Sequence, residues 1–385
     1  MLLKIYLKEM KDCFRDRRTL ILTVFLPIIM MTALTLFYEK LVSDGDNETF
    51  TLAVSSSITS EEENIFSGFE NVEIIKSPAP QEAVENGDAQ VALLLTDNFV
   101  EKVGQGEEAN VTIIGDSFSQ NASNLMNMVT NAFAVFEKSV ISTRLQAEGT
   151  DPNLIQPFTV EQKELSEEDP GVNLLGMLIP LMLALAIGVG AGPAAADLFA
   201  GEKERKTMEA LLITPVKRST LLVAKWLTIS SIGAVTGIIT LIVVMLEITF
   251  LTENLKRALS FDENTVPVLV FALLISVVYA MFTASILMLT SLIGKTIKEA
   301  NSYSSPVMMV SMFPMMFISS MGVNELTSEH FLIPIVNLFS LLKELLFGII
   351  DYQHISMAVG SNIVCIILFF IIGRIMFLKD KWVMN

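Results

Sequence analysis

The stretch LLGMLIPLMLALAIGVGAGPAAA, Leu174 to Ala196, decides the fold. It carries no charged side chain, and about 20 such residues in a helix cross a hydrocarbon core about 30 Å thick. The next segment is its opposite: DLFAGEKERKTMEALLITPVKRST, Asp197 to Thr220, is dense in charge. A long apolar run that ends abruptly in lysine, arginine and glutamate reads as a membrane span entering an aqueous loop.

Five more runs are long and apolar enough to span, with Glu247 and Arg374 their charged residues: Leu20–Tyr38, Trp226–Leu251, Val266–Ile293, Pro306–Val323 and Ser356–Leu378. With 52% hydrophobic residues and a mean hydropathy of +0.56, the 385-residue chain is of membrane type before any motif is read. Pro27, Pro180 and Pro314 fall inside or near the starts of spans, where neighbouring helices can satisfy the freed carbonyls. A seventh stretch, 331–350, has the length but carries Pro334, Asn337, Ser340, Lys343 and Glu344. A charge near a helix centre costs about 2.5–3.5 kcal/mol on insertion. This segment therefore reads as a re-entrant hairpin or an interfacial helix pair.

The net charge of −16 is distributed unevenly. Between Glu39 and Val172 stand 25 acidic and 6 basic residues, a local net of −19 that leaves the rest of the chain at +3. An acidic soluble domain, 39–172, is thus inserted after the first span. Strand-type runs at Phe50–Ser55, Val72–Lys76, Ala89–Leu95 and Asn110–Gly115 alternate with helical ones. Asn121–Leu145 has Leu125, Val129, Ala132, Phe133, Phe136 and Val140 at amphipathic spacing. That alternation predicts a small α/β domain, closed by an acidic linker at Ser166–Pro170. It holds no cysteine; Cys13 and Cys365 lie far from it and from each other.

The basic residues set orientation. With the N-terminus inside, 17 of the 26 Lys and Arg fall on cytoplasmic segments: six within 1–19, six in the loop 197–225, Lys295, Lys298, Arg374, Lys379 and Lys381. A seventh span would place the last three outside. The predicted fold is therefore an α-helical polytopic membrane protein with six transmembrane helices, an extracytoplasmic α/β domain between helices one and two, and both termini cytoplasmic. Residues 173–385 carry helices two to six. The first span (20–38) comes after 19 residues and no small-residue cleavage site succeeds it, so it is not a removed signal peptide. In those leading residues Leu3, Leu7, Met10 and Phe14 recur at helical spacing among Lys4, Lys8, Lys11 and Arg15, predicting an amphipathic helix on the inner-leaflet surface of the bilayer.

A search for catalytic groups returns little. His330 and His354 have no metal-ligand spacing, and no HExxH, paired CxxC or GxSxG occurs. Gly294-Lys295-Thr296 resembles the end of a phosphate loop, but Leu289 stands where the first glycine is needed and the segment leaves a span rather than a strand. The chain is thus read as a non-enzyme that binds neither cofactor nor metal of its own, nor nucleic acid.

The loop 197–225 is the informative segment. Met208, Leu211 and Leu212 stand at i, i+3 and i+4, ringed by Glu204, Arg205, Glu209 and Arg218 and stopped by Pro215, which predicts a short helix presented to a partner's groove. The block Glu202, Glu204, Arg205, Thr207, Glu209, Leu211, Leu212, Thr214, Pro215 and Arg218 resembles the coupling-helix signature of ABC exporter permeases of the second class. The order of parts is also similar across essentially the whole chain: a surface helix, six spans, and re-entrant helices before the last. The large outer domain narrows the resemblance to the sodium-exporting permeases of that class. One departure is Lys206, where many relatives carry glycine. The resemblance implies a dimer of permease copies, each docked by its coupling helix on a separate ABC ATPase subunit that holds ATP and magnesium.

Sodium would need oxygen ligands. Glu247, Thr283, Ser285, Asn337 and Ser340 are candidates within or near spans, though Ser and Thr more often pack helices together. Export of a drug, peptide or lipid-linked molecule, and a receptor or scaffold built around the outer domain, are the alternatives that the sequence leaves open.

Overall fold

The computed structural model describes residues 1–15, 17–46, 49–69, 71–151, 170–253, 255–256 and 265–379. Most of the expected acidic linker at Ser166–Pro170 and the C-terminal Lys381 lie outside the described residues. The chain divides into two compact units, 43–165 and the remainder.

In chain order the helices and strands before the second long helix are α1 (Leu2–Arg15), α2 (Arg17–Asp46), β1 (Phe50–Ser55), α3 (Ser60–Glu63), β2 (Val72–Ser77), α4 (Pro80–Glu85), β3 (Val91–Leu95), α5 (Phe99–Gln105), β4 (Val111–Gly115) and α6 (Gln120–Ala147). The four strands form one sheet in the order β2-β1-β3-β4. β1 is parallel to both β2 and β3, and β4 is antiparallel to β3. Alternation along β1 divides its two faces. Leu52 and Val54 pack with Val91, Leu93, Leu125 and Val129 under α6, while Ala53 faces Ala83 of α4 and Ala92. Small residues on that second face let α4 lie close to the sheet.

The other unit is helical. It contains α7 (Pro170–Ala196), a wide π-type turn at Asp197–Gly201, α8 (Glu202–Glu204), α9 (Thr207–Ile213), α10 (Arg218–Leu251), α11 (Thr265–Ile293), α12 (Ile297–Val310), α13 (Phe313–Ile318), α14 (Ser328–Leu332), α15 (Val336–Leu346) and α16 (Tyr352–Leu378). Among the described residues four helices are long and apolar enough to cross a membrane: Leu175–Glu204, which includes α7, and then α10, α11 and α16. The first of these is the central one, most of its apolar length buried, whereas α16 lies largely exposed. Close packing of α7 on α10 depends on Gly190 and Gly237. A Cβ at Gly190 would stand 2.5 Å from Thr236 Oγ1, and one at Gly237 would stand 2.9 Å from Ile187.

Two expectations need correction. The fifth span, expected at Pro306–Val323, is not one helix: α12 begins at Ile297, the chain breaks at Ser311–Met312, and α13 ends at Ile318. Pro314 has no N–H for the Val310 carbonyl, so the hydrogen-bond ladder stops there. The third span begins at Arg218, eight residues before the expected Trp226, because α10 extends the apolar stretch through two turns that carry Lys225.

Segment 331–350 is mainly one helix, α15, joined through Ile335 at φ 77° to the end of the short α14, which begins before it at Ser328. Its charges are buried but partnered. Lys343 Nζ donates to the Ile318 carbonyl at 3.0 Å and to that of Met321, closing the end of α13. A carboxylate oxygen of Glu344 lies 2.8 Å from His354 Nδ1, and the His354 ring stacks on Phe331 at 3.9 Å. Partnering of this kind is what allows charged side chains inside an apolar bundle.

Candidate functional site

The loop between α7 and α10 is built from the backbone upward. Leu198, Phe199, Ala200 and Gly201 in the wide turn are all buried, so the chain leaves α7 without leaving the protein. Such wide turns recur at functional positions in helices. One short turn, α8, ends at Arg205, and Lys206 adopts a left-handed conformation at φ 56°, ψ 25°. That geometry explains why glycine suits this position. Thr214 is extended at ψ 150°, as a residue before proline must be, and α9 ends there.

Three charged side chains of this loop, Lys203, Glu204 and Arg218, close the ends of other helices. Lys203 Nζ donates to the carbonyls of Leu292 at 2.5 Å and Gly294 at 3.1 Å, at the C-terminus of α11. Glu204 Oε2 accepts from the Ile297 N–H at 2.9 Å, the first residue of α12. Arg205 pairs with Asp197 at 2.9 Å across the wide turn. Arg218 Nη1 donates to the carbonyl of Leu378, the last residue of α16, at 3.2 Å. Helix termini leave N–H and C=O groups unpaired, and this loop supplies the missing partners. Thr207 Oγ1 adds a bond to the Glu202 carbonyl at 3.2 Å.

Beneath the loop lies a buried ionic group that sequence reading missed. Lys225 is fully buried two turns into α10. Its ammonium donates to the Leu198 carbonyl at 2.9 Å and to Glu202 Oε1 at 2.7 Å, stands 3.7 Å from Glu9 Oε1, and lies 5.7 Å from the centre of the Phe199 ring. Glu9, on the inward face of α1, is buried too and meets Lys8 at 3.3 Å. Two cations and two carboxylates thus join α1, the wide turn, α8 and α10. Burial works against the Lys8 ammonium, but Glu9 beside it, and then Asp12, hold it above its ordinary value. On the same face of α1, burial pushes the Cys13 thiol up to about 12, with Glu9 adding to the effect. Lys225 was legible only as one more basic residue, and Glu9 as one acid among lysines. The usable signal was a lysine following the apolar run Leu221–Ala224, paired with an acid on the α1 face opposite Leu3, Leu7 and Phe14, which are exposed.

The apolar positions of α9 also need correcting. Met208 is buried in the bundle core, where Phe199 and Leu221 also belong, and Leu211 is packed against that core, so they anchor α9 inward rather than present it. Leu212's side chain lies outside the described residues. What faces outward is Lys206, Thr207, Glu209, Ile213 and Pro215, with Ile213 84% exposed. Ile213 is thus an exposed apolar residue on a helix whose other face is locked into the core.

Residues 3–382 match the family described as ABC-2 family transporter protein. The chain belongs to the ABC-2 transporter family. It is also 38% identical to the ABC transporter permease protein NatB of Bacillus subtilis (strain 168) over 385 residues, covering 100% of both chains. No solved structure matches it. An ABC-2 permease is the membrane subunit of an ABC transporter, a transport subunit rather than a catalyst, and works with an ATPase partner. Gly294-Lys295-Thr296 forms the turn between α11 and α12, in which Thr296 Oγ1 accepts from the Glu299 N–H at the start of α12.

Among the described contacts no hydrogen bond joins any two of the five residues considered for an ion path. Ser285 accepts from Trp226 Nε1 at 2.9 Å and donates to the Met281 carbonyl, and Ser340 donates to the Val336 carbonyl, both packing roles. Thr283 lies in a small cavity with Tyr279 and Ser311. Asn337 donates to Ser361 Oγ at 3.1 Å, tying α15 to α16. Glu247 alone stands with α2, against Thr32.

Proposed function

We propose that the chain is the permease of an ATP-driven sodium exporter in the bacterial cell membrane, with both termini and the α7–α10 loop cytoplasmic and the α/β domain outside. Two copies form a homodimer. Each docks the outward face of α9, through Glu209, Ile213 and Pro215, on a separate NatA-like ATPase that carries ATP and magnesium. The observation that carries this reading is the loop itself. It exposes α9, while the adjoining α8 is bonded to the ends of α11 and α12 and to buried Lys225, and Arg218, at the start of α10, is bonded to the end of α16. A push on α9 from a closing ATPase moves those ends together, and Glu9 transmits the motion to α1 on the membrane surface.

The test is ATP-dependent uptake of sodium into everted vesicles holding the permease and its ATPase, repeated with Ile213→Asp. Uptake that Ile213→Asp abolishes, along with co-purification of the ATPase, supports the reading. Uptake unchanged by the substitution contradicts it. A second reading, export of an apolar or lipid-like molecule, is favoured by one feature. A cavity of about 290 Å³ among α7, α10, α11 and α15 is walled by Ile179, Leu241, Val244, Val268, Leu342 and Leu345. Apolar walls of this kind suit an acyl chain better than an ion. ATP-driven movement of a fluorescent lipid with no sodium movement would establish it.

A further inference from the structure

We propose that Glu247 of α10 and Thr32 of α2 form a binding site in which a monovalent alkali cation and a proton compete. This deepens the sodium-export reading and rests on it for its physiological meaning. Glu247 is 6% exposed, within the apolar length of α10. Its Oε1 is hydrogen bonded to Thr32 Oγ1, and its Oε2 is buried with no partner. No cation faces it among the described ion pairs. α7 and α11, the helices packed along α10, carry no Asp, Glu, Lys, Arg or His. α16 carries His354 and Arg374 towards its two ends, and α1 meets α10 at the far end, around Lys225. Among the described residues, the charged groups near this end of α2 and α10 include Glu39 and Lys40 of α2 and Glu253 and Lys256 past the end of α10. Glu39 accepts from the N–H groups of Glu253 at 2.8 Å and Leu255 at 3.2 Å, which occupies its carboxylate with the end of α10.

Hydrogen counting gives the site two states. Thr32 has one hydroxyl hydrogen and two acceptors, Glu247 Oε1 and the Ile28 carbonyl at 3.0 Å. In one state the hydrogen points to Ile28, Glu247 carries a proton of its own and donates it to Thr32, and the site is neutral. In the other, Glu247 is a carboxylate, Thr32 donates to it, and a charge is left in an apolar seam with one oxygen bare. That second state is stable only with a cation on Oε2, because a buried charge without a partner is costly. One carboxylate balances one positive charge, so a monovalent ion fits and a divalent ion leaves excess charge. Hard oxygen donors, a carboxylate and a hydroxyl, suit an alkali ion. Thr35, also buried, stands three residues along the same face of α2 and offers a further hydroxyl.

The test is labelling by dicyclohexylcarbodiimide, an apolar reagent that attacks protonated carboxyl groups, on the full-length permease in native membranes, with the modified peptide read by mass spectrometry. Glu247 is labelled in the absence of sodium. Sodium at about ten times its dissociation constant leaves a tenth of sites free and slows labelling about tenfold. Choline chloride at equal ionic strength does not. Thr32→Val keeps the labelling but weakens sodium protection. Labelling that sodium leaves unchanged, or no labelling at all, overturns the site and leaves Glu247 a helix-packing acid. If Glu247→Gln vesicles still pump sodium at the wild-type rate, this inference falls while the export reading stands. If sodium protects Glu247 but wild-type vesicles move no sodium, the site stands and the export reading falls.

Discussion

Replacing Lys225 with methionine isolates what the buried ionic group contributes. Lys225 has no exposed surface, and its ammonium is 2.7 Å from Glu202 and 3.7 Å from Glu9. Methionine keeps most of the volume and removes the charge. It leaves Glu202 and Glu9 facing each other, with the half-exposed Lys8 for compensation, and it removes the hydrogen bond to the Leu198 carbonyl. Removing one partner of a buried pair typically costs about 3–5 kcal/mol, since the remaining charge stays unsolvated. Taking the lower end, because Lys8 still offsets Glu9, K225M loses about 3 kcal/mol, more than a hundredfold in the folding equilibrium. The second arm is K225M/E202Q. Replacing a buried pair with neutral groups of similar size is often harmless, so the double variant recovers at least half of the loss. Equilibrium unfolding in mixed micelles, run as a double-mutant cycle, measures both. ATPase stimulation by the permease is measured in parallel: it falls in K225M and does not return in the double variant, because the link from α9 to α1 is cut. K225M as stable as wild type, or losses that simply add, would refute the buried network as an energetic unit.

Lys206→Gly relieves the left-handed strain at φ 56°. After the extra flexibility of glycine in the unfolded chain, a net gain of about 0.5–1 kcal/mol remains, read as slower amide exchange in α9. Cys13, its thiol pushed up to about 12, reacts with N-ethylmaleimide at pH 8 about a thousandfold more slowly than a free thiol. Its rate keeps climbing with pH well past 9, where an ordinary cysteine levels off. In the α/β unit both oxygens of buried Glu62 accept backbone N–H groups, from Thr59 and Phe99, each at 2.8 Å. Glu62→Ala therefore costs about 3 kcal/mol, visible as faster exchange of β1 amides in the full chain.

Much of this architecture was legible because hydropathy and period are strong local signals. The four strands of the α/β unit lie within two residues of the segments expected from alternation, and α6 spans the amphipathic run that contains Leu125, Val129 and Ala132. α11 begins and ends within a residue of the apolar run read for it. The misses have a common cause: each depended on a contact distant in sequence. Lys225 reads as a loop-side cation until Glu202, 23 residues earlier, and Glu9, on another helix, are seen around it. Met208 reads as an exposed anchor because its spacing with Leu211 identifies an apolar face but not which way that face turns. The break at Ser311–Met312 depends on one missing N–H at Pro314, which composition averages conceal.

The central claim is that the outward face of α9 is where the energy-supplying subunit grips the permease. A photoreactive benzoyl-phenylalanine placed at Ile213, in full-length permease expressed with a NatA-like ATPase, tests it most directly. The account predicts an ultraviolet-dependent crosslink to the ATPase whose yield changes on ATP binding. A crosslink to lipid or to nothing, beside a functional transporter, would contradict it.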